Sequence, residues 1–319
     1  MLTNQPETLR SACLIVLNYN GLKHLHLCLS TVIDAADEYR QNTPVILVDN
    51  GSTDGSQDWV QKHFPDVSLV QSQKNEFLYS LNPVVAKRAE DIVILLNNDM
   101  RFDRKFVSSL MRHFDDPKVF ACTARIFNWD GTRVTTGQRV GKIFRCWYYQ
   151  DWRLDVQHVC ATIDACGGAA AFQRDMFVKL GGFDRLYWPG YYEDTDLSYR
   201  AWKHGWKVIY EPAAIAYHRV GASFSESHTG AQREQLLARN HTLFIAKNIG
   251  DPLFLLGFLF LLPVRILRSL LMGQKELAIG YLKAIRLFPM ALSRRWRISK
   301  AVQFSDIEVL RSILSVRCV

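Results

Sequence analysis

The stretch PVILVDNGSTDGS, Pro44 to Ser56, joins an apolar run to a polar turn rich in glycine. The run is short and rich in Val and Ile, which favours a strand buried on both faces over a helix. Gly51 and Gly55 lie in the turn, and a short helix is predicted for Ser56–His63. A buried strand, a turn and a helix in this order are typical of a parallel sheet built from βαβ units.

Apolar runs of the same kind lie on both sides of this unit. The pattern predicts three further strands and two helices: Ala12–Tyr19, Val67–Ser72 and Asp91–Asp99 as strands, Leu22–Tyr39 as a helix, and a helix that ends at Ala86–Glu90. The chain is therefore predicted to be an α/β protein with a Rossmann-like, mostly parallel central sheet flanked by helices. It has no G-x-G-x-x-G after the first strand and no Walker A lysine, which disfavours a dinucleotide oxidoreductase and a P-loop NTPase.

Two of the predicted strands end in polar triplets, Asp49-Asn50-Gly51 and Asn97-Asn98-Asp99. Ligands of open α/β sheets bind at the carboxyl edge, where these triplets would lie. A carboxylate at Asp99 can hold a divalent cation bridged to a diphosphate, and Asp49 can accept hydrogen bonds from a base or ribose. The structural alternative is that Asn and Asp simply form turns at strand ends.

Three acids lie together in PGYYEDTDLSYRAWKHG, Pro189 to Gly205, just before a helix predicted for Leu197–His204. They are Glu193, Asp194 and Asp196. One interpretation is that acids favour the positive end of a helix and cap its free N–H groups. The other is that one carboxylate accepts a proton from a bound hydroxyl group.

Five segments in order resemble one known family: CLIVLNYNG, VILVDNGSTDGS, ILLNNDM, CGGAAAFQRDMFVKLGGFD and YYEDTDLSYRAWKHGWKVIYEPAAIAYH. The set is similar to the inverting family 2 glycosyltransferases with a GT-A fold. It is especially similar to the bacterial branch that includes rhamnosyltransferases of cell-wall and O-antigen assembly. The resemblance covers about residues 11–248, and it rests on the order and spacing of motifs that are modest one by one.

The resemblance implies a role for each matching residue. Asp194, paired with Glu193, would be the catalytic base, and Asp99 and His218 would hold a divalent metal, Mg²⁺ or Mn²⁺, on the donor diphosphate. The donor, a dTDP- or UDP-sugar, would be bound by residues at the sheet edge: Asn18, Asp49, Asn75, Asn97, Asn98 and Gly168, the last beside Gly167. Trp188, Tyr191 and Tyr192 are candidates for an apolar platform for the acceptor, and burial in the core is the equal alternative.

The implied activity is transfer of a sugar, with rhamnose as the candidate, to a hydroxyl of a lipid-linked or polysaccharide acceptor. Two departures from the family motifs bear on it. In NEFLYSLNP, Phe77 and Leu81 replace glycines and Pro83 replaces an asparagine, while Asn97 replaces the first acid of D-x-D. The first departure motivates an alternative, a catalytically weak member that binds a nucleotide sugar or a glycan within an assembly complex. The second removes one charged ligand and implies weaker metal binding.

The net charge of +8 is concentrated late in the chain, since 11 Lys and Arg but 4 Asp and Glu lie from Asp251 onward. Before these charges stands PLFLLGFLFLLPV, Pro252–Val264, which is shorter than the ~20 residues of a membrane span. The pattern predicts a helical segment at a membrane interface. A buried core helix, a shallow hairpin and a tilted span through Phe244–Val264 are alternatives, and nucleic-acid binding is disfavoured by the apolar run.

Domain organisation and location follow from these patterns. Residues 1–248 are predicted to form the catalytic domain and residues 249–319 the membrane-interface segment. The seven cysteines contain no C-x-x-C pair, which indicates free thiols in a reducing compartment. The polar start MLTNQPETLR lacks the apolar core of a signal peptide. The expected location is cytoplasmic, peripheral on the inner face of the cell membrane.

Overall fold

The computed structural model describes residues 10–219, 229–299 and 302–315. The polar start up to residue 9 and Cys318, both used above, lie outside the described residues. The six cysteines inside them are all free thiols, in agreement with the cysteine pattern.

The strands in the described residues are β1 (Ala12–Asn18), β2 (Val45–Asp49), β3 (Ser68–Gln71), β4 (Ile92–Asn97), β5 (Met100–Phe102), β6 (Val119–Asn128), β7 (Val134–Thr136), β8 (Gln138–Phe144), β9 (Trp147–Arg153), β10 (Cys160–Ala161), β11 (Ala169–Gln173) and β12 (Lys207–His218). The helices are α1 (Leu22–Tyr39), α2 (Ser56–His63), α3 (Leu81–Ala86), α4 (Phe106–Met111), α5 (Arg174–Lys179), α6 (Glu193–Lys203), α7 (Gly230–Asn248), α8 (Pro252–Leu271), α9 (Lys275–Ser299) and α10 (Asp306–Ser315).

One large mixed sheet forms the centre, in the order β10-β12-β6-β11-β4-β1-β2-β3. Strands β4, β1, β2 and β3 are mutually parallel, and β12 is parallel to β6. Strand β11 is antiparallel to both β4 and β6, so it lies reversed between the two parallel groups. The predicted mostly parallel α/β sheet flanked by helices is confirmed, and β8 and β9 form a separate hairpin.

Both faces of the sheet are buried, which explains the continuous apolar runs. In β1, Cys13 and Ile15 belong to one core cluster, while Leu14 and Val16 belong to the cluster on the opposite face. Side chains of successive strand residues point to opposite faces, so a strand covered on both sides is apolar throughout.

Most element predictions are confirmed, and the clearest error concerns the helix that carries the acids. Helix α6 begins at Glu193, four residues before the predicted start. Tyr191 and Tyr192, at φ 67° and 74°, turn the chain, and the Asp196 amide donates to the Tyr192 carbonyl at 2.8 Å. The acids therefore lie within the first turn of the helix. A smaller error is that α3 already ends at Ala86.

The apolar run is part of a longer helix than its sequence predicted. Helix α8 has 20 residues, about 30 Å at 1.5 Å per residue, and in the described part of the chain it alone is long and apolar enough to cross a membrane. Length and composition alone are weak evidence that α8 spans a membrane. The expectation that the run is too short was wrong, since the helix continues past Arg265 and Arg268.

A single span through Phe244–Val264 is excluded by the break between α7 and α8. The Asp251 carboxylate caps α8 by accepting from the Phe254 amide at 2.8 Å. Lys247, which such a span would have to expose at a lipid headgroup, is 1% exposed and ion-paired inside the protein.

Helix α8 has two distinct faces. One face, with Phe254, Phe258 and Leu262, is buried in the core. Along the other face, large apolar side chains recur every three or four residues and are exposed by half or more: Leu253, Leu256, Phe260, Val264, Leu267 and Leu271. This spacing places them in one continuous stripe along the helix.

Candidate active site

Asp49 organises the turn that follows β2. It is fully buried, and its Oδ1 accepts from the Ser52 amide at 2.8 Å and from Gln57 Nε2 at 2.7 Å. Its Oδ2 accepts from Asn18 Nδ2 at 2.8 Å and from the Ser52 hydroxyl at 2.7 Å. Because four donors of the protein occupy this carboxylate, Asp49 acts here by holding Asn18, Ser52 and Gln57 in place.

Asn18 carries this network across to the end of β4. Its Oδ1 accepts from Asn98 Nδ2 at 2.5 Å, and both side chains are buried. Gly21 packs directly against this pair, because a Cβ at Gly21 would lie 1.8 Å from Asn98 Nδ2. The glycine of NYNG is therefore required for the Asn18–Asn98 contact. The structure brings the predicted residues Asn18, Asp49 and Asn98 together in one hydrogen-bonded group.

Asn75 shapes the next loop rather than pointing to open space. Its Oδ1 accepts from the Phe77 amide at 2.9 Å and from Asn50 Nδ2 at 3.3 Å. Phe77 has φ 51°, the left-handed conformation that glycine adopts at no cost. The loop thus keeps the backbone of the family's glycine although the residue differs. The Phe77 ring packs edge-on against Trp188 with centroids 5.0 Å apart.

Asn97 and Gly168 meet at the boundary between β4 and β11. The Asn97 amide donates to the Gly168 carbonyl at 3.0 Å. A Cβ on Gly168 would lie 2.5 Å from Asn97 Cγ, so only glycine fits beneath this side chain. The two predicted residues are neighbours, as expected.

Asp99 and His218 are brought together by strand pairing. Strand β5 runs antiparallel to the end of β12, and His218 is opposite Met100 in that register. The Nε2 atom of His218 lies 3.4 Å from Asp99 Oδ2. Donor atoms in adjacent positions around an octahedral ion at about 2.1 Å lie about 3 Å apart, so one divalent cation fits this pair.

The two side chains leave most of such an ion's coordination to other ligands. Within residues 10–219, 229–299 and 302–315, no group of three or more His, Cys, Asp or Glu side chains could hold a metal. A cation with few protein ligands suits substrate phosphates, which complete its coordination together with water. The donor set therefore fits a metal shared with a diphosphate.

Glu193 has the least favourable environment of the three acids in the first turn of α6. It is 6% exposed, and its Oε2 is buried without a hydrogen-bond partner in the described structure. Burial, reinforced by the nearby Asp194 and Asp196 charges, raises the pKa of Glu193 to about 8. The raised pKa favours the neutral form of Glu193 at pH 7, so this acid is a poorer candidate for the base than an ionised carboxylate.

Asp196 is locked in an ion pair and hydrogen-bond network. It is fully buried, with Lys247 Nζ at 2.6 Å, Arg200 Nε at 2.8 Å and Asn248 Nδ2 at 2.8 Å. Burial would raise the pKa of Asp196, but Lys247 and Arg200 outweigh burial and hold it far below its usual range. This acid ties α6 to α7 and is structural.

Asp194 is the accessible acid of the three. Its side chain is 21% exposed, and its Oδ1 accepts from the Thr195 amide at 2.7 Å. Its Oδ2 lies 3.8 Å from Arg139 Nη2. Oδ1 therefore accepts from a free N–H group at the start of α6, as the capping interpretation predicts, and Oδ2 faces Arg139 of the β8–β9 hairpin.

Two charged residues near Asp194 were missed from the sequence. Asp164 is fully buried, accepts from the Thr195 hydroxyl at 2.7 Å and lies 2.7 Å from Arg139 Nε. Burial raises the pKa of Asp164 to about 6 in spite of Arg139. The only sequence signal was a lone acid in the apolar run VCATIDACGG. Arg139 had no signal, because hairpin pairing brings it to the site.

The aromatic residues before α6 are held by α7. Asn240 Nδ2 donates to the carbonyls of Tyr187, Gly190 and Tyr191 at 3.1, 2.7 and 2.9 Å. The Tyr192 ring stacks on His241 with centroids 5.3 Å apart. Tyr192 and Trp188 pack against the core, so much of the predicted platform is structural.

The loop from Asp164 to Gly168 connects the two halves of the site. Asp164 and Cys166 interact electrostatically with Asp194, while Gly168 packs against Asn97. The residues of the sheet edge and the acid end of α6 therefore adjoin one loop.

This fold is that of a glycosyltransferase of the GT-A class. The model of the family described as Glycosyl transferase family 2 matches residues 13–181, and the chain belongs to this family. A second model, described as N-terminal domain of galactosyltransferase, matches residues 157–220.

Two curated proteins of Mycobacterium tuberculosis are similar in sequence. One is an N-acetylglucosaminyl-diphospho-decaprenol L-rhamnosyltransferase, 24% identical over 255 residues that cover 71% of this chain and 80% of that protein. The other is a pre-mycofactocin glycosyltransferase, 28% identical over 188 residues that cover 54% of this chain and 37% of that protein. The predicted resemblance to rhamnosyltransferase-type members is confirmed.

Solved structures share the fold. GalNAc-T7 with UDP, GalNAc and Mn²⁺ gives a TM-score of 0.60 at 14% identity, covering 93% of this chain and 59% of that one. The mannosyltransferase PcManGT from Pyrobaculum calidifontis, in complex with GDP-Man and Mn²⁺, gives 0.56 at 19% identity, covering 93% and 76%. TarS of S. aureus gives 0.56 at 13% identity, covering 92% and 83%.

Proposed function

We propose that this protein transfers a sugar from a nucleoside diphosphate to a hydroxyl of a lipid-linked acceptor, with inversion and with Asp194 as general base. The observation that carries the proposal is that the three acids of α6 differ in burial and in their partners. The raised pKa of Glu193 favours its neutral form and Asp196 is ion-paired, so Asp194 is left as the partly exposed carboxylate.

The chemistry needs one proton acceptor at this position. The acceptor hydroxyl is a weak nucleophile at neutral pH, and a carboxylate within hydrogen-bond reach takes its proton as the new C–O bond forms. The bond from the anomeric carbon to the diphosphate breaks on the opposite face, which inverts the configuration. The bound cation, held by Asp99 and His218, would neutralise the charge that develops on the leaving diphosphate.

The donor would lie along the carboxyl edge of the sheet. The group formed by Asn18, Asp49 and Asn98 provides a rigid polar wall there, which suits the nucleoside of a dTDP- or UDP-sugar. Rhamnose is the candidate sugar because the similar mycobacterial protein is an L-rhamnosyltransferase. The name of that protein also includes diphospho-decaprenol, which supports a lipid-linked acceptor here.

The exposed stripe of α8 would place the enzyme on the membrane that holds such an acceptor. Six large apolar side chains lie along that stripe, and basic residues follow within the same helix and α9. Apolar area buried in a membrane interface, together with Lys and Arg at anionic headgroups, stabilises peripheral binding. The cytoplasmic face is the side on which we place it.

The test of activity is a donor panel on the purified full chain. Nucleotide release would be measured from dTDP-rhamnose and several UDP- and GDP-sugars, with Mg²⁺ or Mn²⁺ and with chelator, in the presence of a lipid-linked acceptor. We expect metal-dependent release from one donor. Thermal stabilisation by donors without turnover on any acceptor tried would support the alternative of a catalytically weak binding protein.

The test of membrane binding is flotation with vesicles that contain anionic lipid. We expect the wild type to float and the variant Leu253→Ser/Leu256→Ser/Phe260→Ser to lose about 10-fold or more in vesicle affinity, because three exposed apolar side chains no longer enter the interface. The control is Leu27→Ser/Val178→Ser, which removes exposed apolar side chains elsewhere. Equal flotation of all three proteins would contradict the membrane proposal.

A further inference from the structure

A closed ring of side chains surrounds the carboxylate of Asp194. Arg139 Nε lies 2.7 Å from Asp164 Oδ1, and Asp164 Oδ2 accepts from the Thr195 hydroxyl at 2.7 Å. The Thr195 amide donates to Asp194 Oδ1 at 2.7 Å, and Asp194 Oδ2 lies 3.8 Å from Arg139 Nη2. Each carboxylate oxygen of Asp194 therefore has its own partner, one on α6 and one on the β8–β9 hairpin.

Arg139 is itself fixed in place. Its amide donates to the Thr162 hydroxyl at 3.0 Å, and its carbonyl accepts from the Ile163 amide at 2.8 Å. Its guanidinium lies over the Trp152 ring at 4.9 Å, and the residue is 8% exposed. The main chain of Arg139 is fixed by hydrogen bonds and its guanidinium is held by an aromatic ring and a carboxylate, so it can define a position for a second carboxylate.

The groups that face Asp194 are otherwise acidic or neutral. Glu193 adjoins it on α6, Asp164 and Cys166 face it from the loop before β11, and Tyr192 faces it from the turn before α6. Within residues 10–219, 229–299 and 302–315, Arg139 supplies the one cation within 4.0 Å of this carboxylate. Opposite charge at this distance favours the ionised form, and the acids oppose it.

We propose that Arg139 is a positioning residue that pairs with the Asp194 carboxylate and orients it for proton transfer, with Asp164 and Thr195 as its anchors. This inference rests on the proposed function of Asp194 as the base. The other possibility is that Arg139 only neutralises buried Asp164, in which case Asp194 would not respond to its removal.

The variants are built so that a buried charge is not left alone. Arg139→Met by itself would strand the Asp164 carboxylate in the interior, which endangers folding. The comparison is therefore made within the Asp164→Asn background, where Asp164→Asn/Arg139→Met differs from Asp164→Asn by the guanidinium alone. Lys142→Met is the matched control, since Lys142 lies on the same strand and pairs with exposed Asp151 at 2.7 Å.

The first readout is the pH dependence of turnover with the donor that the panel identifies. Relative to Asp164→Asn, we expect Asp164→Asn/Arg139→Met to lose about 10- to 100-fold in kcat, because the base is less well placed. We expect the acid limb of kcat/KM to move up by about one pH unit and the donor KM to stay within about twofold. Lys142→Met should match the wild type in all three quantities.

The second readout needs no turnover. In protein labelled at the aspartate carboxyl carbons, the Asp194 signal is assigned by its loss in Asp194→Asn and followed against pH by NMR. We expect its midpoint to rise by about one pH unit in Asp164→Asn/Arg139→Met relative to Asp164→Asn. An unchanged midpoint overturns the proposal. If no donor is turned over, the proposed function fails, while this titration still decides whether Arg139 acts on Asp194.

Discussion

The two halves of the site satisfy their polar groups in opposite ways. At the sheet edge, the buried carboxylate of Asp49 accepts four hydrogen bonds from the protein. At the start of α6, buried Glu193 has a carboxyl oxygen without a partner in the described structure, and burial raises its pKa to about 8. The first half is held by hydrogen bonds, while the second keeps acids crowded together.

This difference separates binding from chemistry. A saturated network is rigid and costs nothing to reorganise when a nucleoside binds, so it suits recognition. Burial raises the pKa of Glu193 while Lys247 and Arg200 lower that of Asp196, and acids with pKa values shifted in opposite directions are typical of sites of proton transfer. Substitutions in the two halves should therefore affect different quantities.

The largest expected effect is on turnover at Asp194. Asp194→Asn should lower kcat by about 10³-fold, the contribution of a general base, while leaving Tm and donor affinity unchanged. The amide oxygen can still accept from the Thr195 amide, so the helix start is preserved. Steady-state kinetics and thermal unfolding with and without donor are the measurements. Turnover within a few-fold of wild type would assign the base elsewhere.

The converse effect is expected at Asp49. Asp49→Asn places an NH₂ group opposite N–H groups that now donate hydrogen bonds to the carboxylate. This substitution should lower the free energy of unfolding by about 3 kcal/mol and abolish thermal stabilisation by the nucleotide-sugar donor. Asp58→Asn, an exposed acid on α2, is the control. Denaturant unfolding with and without donor measures both quantities. A variant as stable as the wild type would show that the network is not what holds this half together.

The smallest expected effect is on the pH dependence of stability at Glu193. Because its folded pKa of about 8 lies above the ordinary 4.5, the folded state retains a proton between these values and loses stability as pH rises through them. Glu193→Gln removes this pH-dependent contribution to stability. The Tm of the variant minus the Tm of the wild type should therefore rise by about 3 °C or more between pH 5 and pH 9. The control Glu234→Gln, on an exposed part of α7, should follow the wild type. Parallel Tm curves for Glu193→Gln and wild type would contradict the raised pKa of Glu193.

Local patterns were sufficient for much of the sheet and its edge. Continuous Val, Ile and Leu runs predicted β1, β2 and β4, and the polar triplets after β2 and β4 predicted a polar edge, where Asn18 links Asp49 to Asn98. These predictions succeed because the carboxyl ends of parallel strands meet at one edge whatever the rest of the chain does.

Contacts between residues far apart in the sequence determine the features of the site that the sequence did not predict. Arg139 reaches Asp194 because the β8–β9 hairpin packs beside α6, and no local period encodes that contact. The start of α6 was misplaced because two tyrosines adopt the left-handed conformation, which their residue type disfavours. The division at residue 248 remains a prediction, although Asp306 of α10 pairs with Lys203 of α6 at 2.6 Å.

That last ion pair has a consequence for the order in which the protein matures. Asp306 is buried and also accepts from the Tyr199 hydroxyl at 2.7 Å, so a late part of the chain completes the contacts of helix α6, which carries Asp194. During synthesis the sheet can form while α6 still waits for this partner. A nascent chain that ends before residue 306 would therefore expose Lys203 and leave its catalytic helix unfinished. We expect α6 to gain its full set of buried contacts only once α10 has left the ribosome.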